Sequence, residues 1–435
     1  MEKPNQQKMG LLSMTLLSIN AIIGSGIFLL PNQAMKLIGP ASIGVLFFDA
    51  LLIGCIALCF AESASYFKVD GGPYIYAKSA FGNFVGYEVG FITWAIQIIA
   101  EATMVVAFAT ALGTLFPAMA TPLAKNVIVT IVVLSLMVMN ISGVRVSKFV
   151  NNIITVSKLV PLVLFVAMGI FFMKGGNFTP VFPKGQYQSG SFGLAAITMF
   201  YAFTGVERIS VAAGDMENPE RNLPRAIMTS LLVVTAFYVL IQIVSVGVLG
   251  TALADTATPI QTAFGKFAGS FGTALVAAGT LISITGICVA SSYVTPRSGV
   301  ALAENKMMPQ GLAKRNRRHA PYVSIVVSGG LSLLIAWSGQ FAYLAQISAV
   351  SRFAQYIPTC LAVLVFHRTK KQLPGHFRVP LGPVIPVLAL LISLWLLTQV
   401  AVSQLLIGLG ALVIAVPFYF LMEHLNRKDA TDHSK

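Results

Sequence analysis

Long apolar runs separated by short polar connections dominate this chain. About twelve can be counted, centred near residues 20, 52, 98, 133, 163, 202, 238, 285, 330, 357, 393 and 413, where hydrocarbon about 30 Å thick asks for roughly 20 helical residues per crossing. Lipid offers no hydrogen bonds, so a crossing segment must satisfy its own N–H and C=O groups, and runs of this length do so as α-helices. Only 10% of the 435 residues are charged and mean hydropathy is +0.80, against about 25% charged in soluble proteins. The expected fold is an all-α polytopic membrane protein with twelve transmembrane helices. The first run is too long for the apolar core of a signal peptide and reads as a retained first span.

A net charge of +14 would suit nucleic acid if it were gathered on one face. Instead the basic residues follow the connections. With the N-terminus in the cytoplasm, most Lys and Arg fall in inner loops, while Lys36, Lys125, Lys174, Lys184 and Lys266 fall outside. That bias sets orientation and predicts a multi-pass protein of the cytoplasmic membrane with both termini inside. The densest run, Lys314-Arg315-Asn316-Arg317-Arg318, then faces the inner leaflet. The bilayer is the expected partner and nucleic acid is not. The four cysteines lie inside apolar runs and match neither a disulfide framework nor a zinc spacing. The five histidines lie in connections or the tail and form no cluster. No metal site, cofactor or enzymatic centre is expected.

Two of the runs are interrupted. The first contains Ile22-Ile23-Gly24-Ser25-Gly26-Ile27-Phe28, and the sixth contains Phe203-Thr204-Gly205-Val206. Glycine inside a helix costs about 1 kcal/mol relative to alanine. A broken helix in lipid is tolerable where its freed peptide groups face a protein-lined cavity, and paired breaks in two halves of a chain point to a transporter's substrate site. A half-helix starting near Gly26 would aim N–H groups and the positive dipole end at such a cavity, which suits a carboxylate. Ile23, Gly24, Ser25 and Gly26 are the candidates for a substrate α-carboxylate, and Tyr201, Phe203, Thr204 and Gly205 for the other end. The alternative for the small residues is tight helix packing. The breaks lie five spans apart. This suggests one transporter domain over 1–435, with repeats at about 10–173 and 192–367 and two further helices at about 384–424.

Glu101, Lys158 and Glu207 are ionisable residues within spans. Each is a functional candidate by default, since a mid-bilayer charge costs at least about 2.5–3.5 kcal/mol. Lys158 and Glu207 are assigned to coupling or gating, and Glu101 to substrate or proton contact. Glu62 reads as an interfacial carboxylate, and Arg297 and Arg352 as lining a cytoplasmic vestibule.

Ile23-Gly24-Ser25-Gly26-Ile27-Phe28, Gly71-Gly72-Pro73-Tyr74-Ile75-Tyr76, Phe203-Thr204-Gly205-Val206-Glu207 and Asn218-Pro219-Glu220-Arg221-Asn222-Leu223-Pro224-Arg225 occur in that order. Together they resemble the amino acid–polyamine–organocation (APC) permeases. The resemblance implies a five-plus-five inverted repeat, alternating access, and substrate held at unwound parts of spans 1 and 6. Asn151 to Lys158 looks like the span-5 pattern of permeases for neutral and cationic amino acids, in which the lysine stands where sodium-coupled relatives hold a cation. Glu101, Tyr201 and Ser291 replace an asparagine and two tryptophans of the arginine/agmatine antiporters, and Arg208 replaces a small residue. With no nucleotide-binding Gly-x-x-x-x-Gly-Lys motif, the expected function is secondary transport of a neutral amino acid, by proton coupling or exchange. The alternatives are a cationic amino acid or polyamine carrier, and a membrane amino-acid sensor. Oligomeric state is left open.

Overall fold

The computed structural model describes residues 10–67, 72–143, 148–183, 188, 190–207, 217–369 and 377–432; the side chains of 148–156, 219–220 and 427–432 are outside that description. Arg208, Gly71, the side chains of Asn151 to Val156 and those of Pro219 and Glu220 therefore lie outside the described residues.

The described residues form α-helices and short 3-10 turns. In chain order the helices are α1 (Leu11–Ile22), α2 (Ser25–Leu29), α3 (Pro31–Ile38), α4 (Ser42–Ser65), α5 (Pro73–Phe81), α6 (Asn83–Leu115), α7 (Pro122–Ile141), α8 (Lys148–Gly169), α9 (Ser191–Phe203), α10 (Pro219–Leu249), α11 (Pro259–Glu304), α12 (Tyr322–Trp337), α13 (Phe341–Thr369), α14 (Val384–Leu397) and α15 (Val402–Asp432). α11 is interrupted at Gly269, where φ is +60°. Among the described residues seven helical stretches are long and apolar enough to cross a membrane; of five shorter apolar helices one precedes them and four stand between them. α1 and α9 are among the short ones. At 1.5 Å per residue they reach only about 18–20 Å, well under a full crossing.

Large apolar side chains point outward along many of these helices, among them Leu12, Leu123, Leu232, Leu391 and Val413. Water would penalise such a surface and lipid does not. α4 shows the pattern in one helix. Phe47 and Leu51 are exposed, whereas Val45, Leu46, Leu52, Ile53 and Ile56 are fully buried, as the 3.6-residue repeat requires.

The chain divides into two compact units. One comprises Met1–Val89, Met173–Ala254 and Phe353–Val400. Within it α4 packs on α9, α10 and α14, α1 on α10, and α3 on α9. Hydroxyl and amide groups supplement the packing. Ser230 Oγ meets Ser18 Oγ at 3.0 Å, and Gln242 Nε2 donates to Ser42 Oγ at 2.9 Å and towards the Pro31 carbonyl at 3.3 Å.

The other unit comprises Gly90–Phe172, Asp255–Arg352 and Ala401–Lys435. Here α11 packs on α8 and α12, and α7 on α12. α6 is fastened to α12 by Trp94 Nε1 donating to Ser328 Oγ (3.1 Å) and Ser332 Oγ donating to the Ile98 carbonyl (3.1 Å). Such bonds between apolar helices are each worth about 0.6–2 kcal/mol. All four cysteines are buried and free.

Two expectations are corrected. Glu62 is fully buried rather than interfacial, and its carboxylate accepts from His367 Nε2 (2.7 Å), the Val379 N–H (2.7 Å) and the Tyr66 hydroxyl (3.2 Å). The donors come from the last turn of α13 (His367), from Val379 and from Tyr66 at the end of α4 itself. Arg352 is buried too, at 5% exposure, while Arg297 is exposed over the Tyr293 ring.

Candidate substrate site

α1 closes normally, with the Ile23 N–H donating to the Ile19 carbonyl at 3.0 Å. Ile23 then turns extended (φ −70°, ψ 103°), Gly24 stays extended (φ −132°, ψ −157°), and a new helix begins at Ser25. α2 runs on towards α3, its end marked by the Leu30 N–H bonding the Gly26 carbonyl at 2.9 Å and by Pro31 opening the next helix. Proline suits a first helical position because it lacks the N–H that has no partner there.

α9 ends in a matching way. Thr204 is extended (φ −67°, ψ 146°) and Gly205 follows at φ +111°, a region open to glycine and costly for other residues. The Thr204 N–H and Oγ1 both donate to the Tyr201 carbonyl, at 3.2 and 2.7 Å, and so cover one of the carbonyls that the helix end leaves bare.

The structure brings these two breaks together. A Cβ on Gly26 would stand 2.8 Å from Cα of Ala202, and one on Gly205 would stand 2.6 Å from the Ala21 carbonyl oxygen. Ser25 Oγ and the Tyr201 hydroxyl are 3.4 Å apart. Tyr238, fully buried on α10, places its hydroxyl 3.0 Å from the Ala202 carbonyl and 3.3 Å from that of Ile22. A phenol has one proton to donate, so the two helix ends share a single donor with Ala202 the closer. Phe203 packs edge-on against the Tyr238 ring at 5.2 Å.

Glu207 holds the second break through its carboxylate. Its Oε2 accepts from the Gly205 N–H at 2.9 Å and from the Tyr356 hydroxyl at 3.0 Å. Tyr356 is fixed in turn by ring contacts with Phe60, Phe200 and Phe353. Ile23, Ser25, Gly26, Tyr201, Phe203, Gly205 and Glu207 thus belong to one constellation. Tyr238 and Tyr356 are members that sequence reasoning does not pick out. The only signal they carry is general: a buried tyrosine needs a partner for its hydroxyl.

Tyr238→Phe is expected to leave two buried carbonyls without that donor, at a cost of about 1–3 kcal/mol. Thermal unfolding of the purified variant in detergent should shift down by several degrees, and an unchanged midpoint would mean that the hydroxyl does not tie the breaks.

Glu101 and Lys158 belong to the other unit. Glu101 is buried on α6 beside the hydroxyls of Thr295 and Ser332, and its Oε2 accepts no hydrogen bond among the described residues. Lys158 is buried on α8, one turn before Pro161. Proline withholds the N–H that would bond the Ser157 carbonyl. α11 approaches at that spot, with Gly279 against the same carbonyl and the Pro161 ring.

Comparison with known proteins bears on what this arrangement serves. The profile of the family described as "Amino acid permease" matches residues 9–422. The uncharacterized transporter Rv1979c of Mycobacterium tuberculosis is 32% identical, the alignment covering 89% of this chain and 86% of the relative. Branched-chain amino acid permease BcaP of Bacillus subtilis is 28% identical over 98% and 95%. The serine/threonine exchanger SteT of Bacillus subtilis is 29% identical over 96% and 97%. The family and these relatives are transporters, and the apolar helices make this an integral membrane protein. The chain belongs to the amino acid permeases of the APC superfamily.

Proposed function

We propose that the protein is a secondary carrier of neutral amino acids in the cytoplasmic membrane, working by alternating access with proton coupling or exchange. The observation that carries this reading is the meeting of two helix breaks in one unit, joined through Tyr238 and through Gly205 against Ala21. The first-turn N–H groups at Ser25 and Gly26, with Ser25 Oγ, offer donors to an α-carboxylate without a protein charge. The α9 end at Phe203, Thr204 and Gly205 offers carbonyls to an α-ammonium. Tyr201 closes over the ligand. Twelve spans, both termini in the cytoplasm, repeats at about 10–173 and 192–367 and two further helices at about 384–424 complete the reading.

Neutral substrates are favoured because BcaP and SteT are named for branched-chain amino acids and for serine and threonine. Lys158 takes the coupling role: its buried ammonium repels sodium at short range, which leaves protons or exchange. A second reading, a carrier of cationic amino acids or polyamines, is favoured by Glu101, whose Oε2 lacks a hydrogen-bond donor among the described residues.

The test is uptake into proteoliposomes of a labelled panel containing leucine, valine, serine, threonine, arginine, lysine and putrescine, with and without a proton gradient or internal substrate. Neutral amino acids should accumulate, and Lys158→Ala should lower gradient-driven accumulation by about tenfold, the equivalent of about 1.4 kcal/mol. Uptake confined to arginine, lysine or putrescine would favour the second reading. Binding of an amino acid with no movement across the membrane would make the protein a sensor.

A further inference from the structure

Asp49 plays no part in the site described above. It sits in the apolar run Leu46-Phe47-Phe48-Asp49-Ala50-Leu51-Leu52 on α4. It shares the inward face with Val45, Leu46, Leu52 and Ile53 and is 0% exposed. Neither carboxyl oxygen accepts a hydrogen bond from any described residue.

The same helix carries a control. Glu62 is equally buried, and three donors meet its carboxylate. That is how a structural carboxylate is kept in an apolar interior: its lone pairs are satisfied. Asp49 has the burial without the donors. An ionised carboxylate there would bear the whole desolvation penalty, and an apolar residue of similar size would serve packing better. A carboxyl retained under those conditions suits a group that carries a cation for part of a cycle.

No cation of the neighbouring helices is bonded to Asp49 among the described residues. Of those packed on α4, α3 has Lys36, α5 has Tyr74, Tyr76 and Lys78, α9 has Tyr201, and α10 has Arg221, Arg225 and Tyr238 among its described side chains. α14 has no titratable residue. α13 adds Tyr356, Cys360, His367 and Arg368, and α4 itself Cys55, Cys59 and Glu62. None of them forms a hydrogen bond or an ion pair with Asp49 among the described residues.

Ser42, two turns earlier on α4, is bonded by Gln242 of α10, and Val45 and Leu46 are fully buried between it and Asp49. The carboxyl therefore stands in an apolar stretch of the interior.

We propose that Asp49, buried on α4 with neither carboxyl oxygen bonded by a described residue, is a proton-binding site of the transport cycle. Hydronium gives its proton to the carboxylate and leaves water; release runs the same step backwards, and no other bond changes. The proposal rests on the carrier reading and adds a proton carrier distinct from Lys158.

The test uses the full chain in proteoliposomes. Asp49→Asn should lose about tenfold in proton-driven amino acid accumulation, with counterflow at saturating substrate within about twofold of wild type. Infrared difference spectra between acid and alkaline pH should show a carboxylic acid carbonyl band that vanishes in Asp49→Asn. If the asparagine variant does not reach the membrane, Asp49→Glu decides: the band should move in frequency. Wild-type accumulation by Asp49→Asn, a band unmoved by either substitution, or accumulation driven by sodium instead of protons would overturn the proposal. Absence of counterflow in wild type would overturn the carrier reading itself, and the infrared band would still report on Asp49.

Discussion

Gly205→Ala is expected to abolish uptake while the chain still reaches the membrane. Two costs coincide at that residue. The backbone sits at φ +111°, where a side chain strains the residue by about 1–3 kcal/mol. The added Cβ would also lie 2.6 Å from the Ala21 carbonyl oxygen, closer than atoms of this kind approach. The neighbour is backbone at the end of α1, so no side chain can swing aside, and overpacking of this sort costs about 1–3 kcal/mol more. Relief can come only by separating the two breaks or by turning the chain at 205. Either movement lengthens the bonds from Tyr238 to Ala202 and Ile22 and from Gly205 to Glu207. The substrate's two ends would then meet peptide groups at the wrong spacing, and misplacement by about 1 Å is enough to cost a hundredfold in a preorganised site. The measurements are initial uptake in proteoliposomes and thermal unfolding in detergent. Uptake at background with a lowered midpoint is the expected pair. Wild-type uptake would show that the contact with Ala21 does not shape the site.

The same contact explains what could be read from the chain and what could not. The breaks are legible because glycine and a small hydroxyl residue in the middle of a long apolar run conflict with helix propensity in lipid, whatever the rest of the protein does. Helix positions are legible because length and hydropathy fix them locally; the notable outcome is that α1 and α9 stop at 12 and 13 residues. Partners are a different matter. Nothing near Tyr238 in the sequence says that its hydroxyl will reach α1 and α9, since that depends on where α10 packs. Glu62 misleads for a similar reason. Its place near the end of a span suggests solvent, and only the bonds from Val379 and His367, more than 300 residues away in the chain, reveal a buried, bonded group. Asp49 was open to the reasoning that singles out Glu101, because both are carboxylates in apolar runs. Their contrast with Glu62 becomes visible only when donors can be counted.

Glu207 separates a structural from an electrostatic account of the second break, because two substitutions pull the accounts apart. Alanine removes the acceptor of both the Gly205 N–H and the Tyr356 hydroxyl. Two buried donors left unmet cost about 1–3 kcal/mol each, so Glu207→Ala should weaken substrate binding by about tenfold to a hundredfold, or 1.4–2.8 kcal/mol. Glutamine keeps one acceptor oxygen of similar reach and discards the charge. If Glu207 serves mainly to hold Gly205 at its positive φ, Glu207→Gln should restore neutral amino acid affinity to within about threefold of wild type, since the amide oxygen can accept both donors. If the carboxylate instead meets a cationic substrate, glutamine should fall with alanine for arginine or lysine and spare leucine and serine. The first result is the expected one, because Oε2 is already engaged by two protein donors and a ligand ammonium would have to compete with them. Equilibrium binding of each amino acid to the three proteins, at one pH and one salt concentration, distinguishes the cases. Equal loss of neutral ligands in both variants would mean that the negative charge, and not the bond to Gly205, is what the site requires.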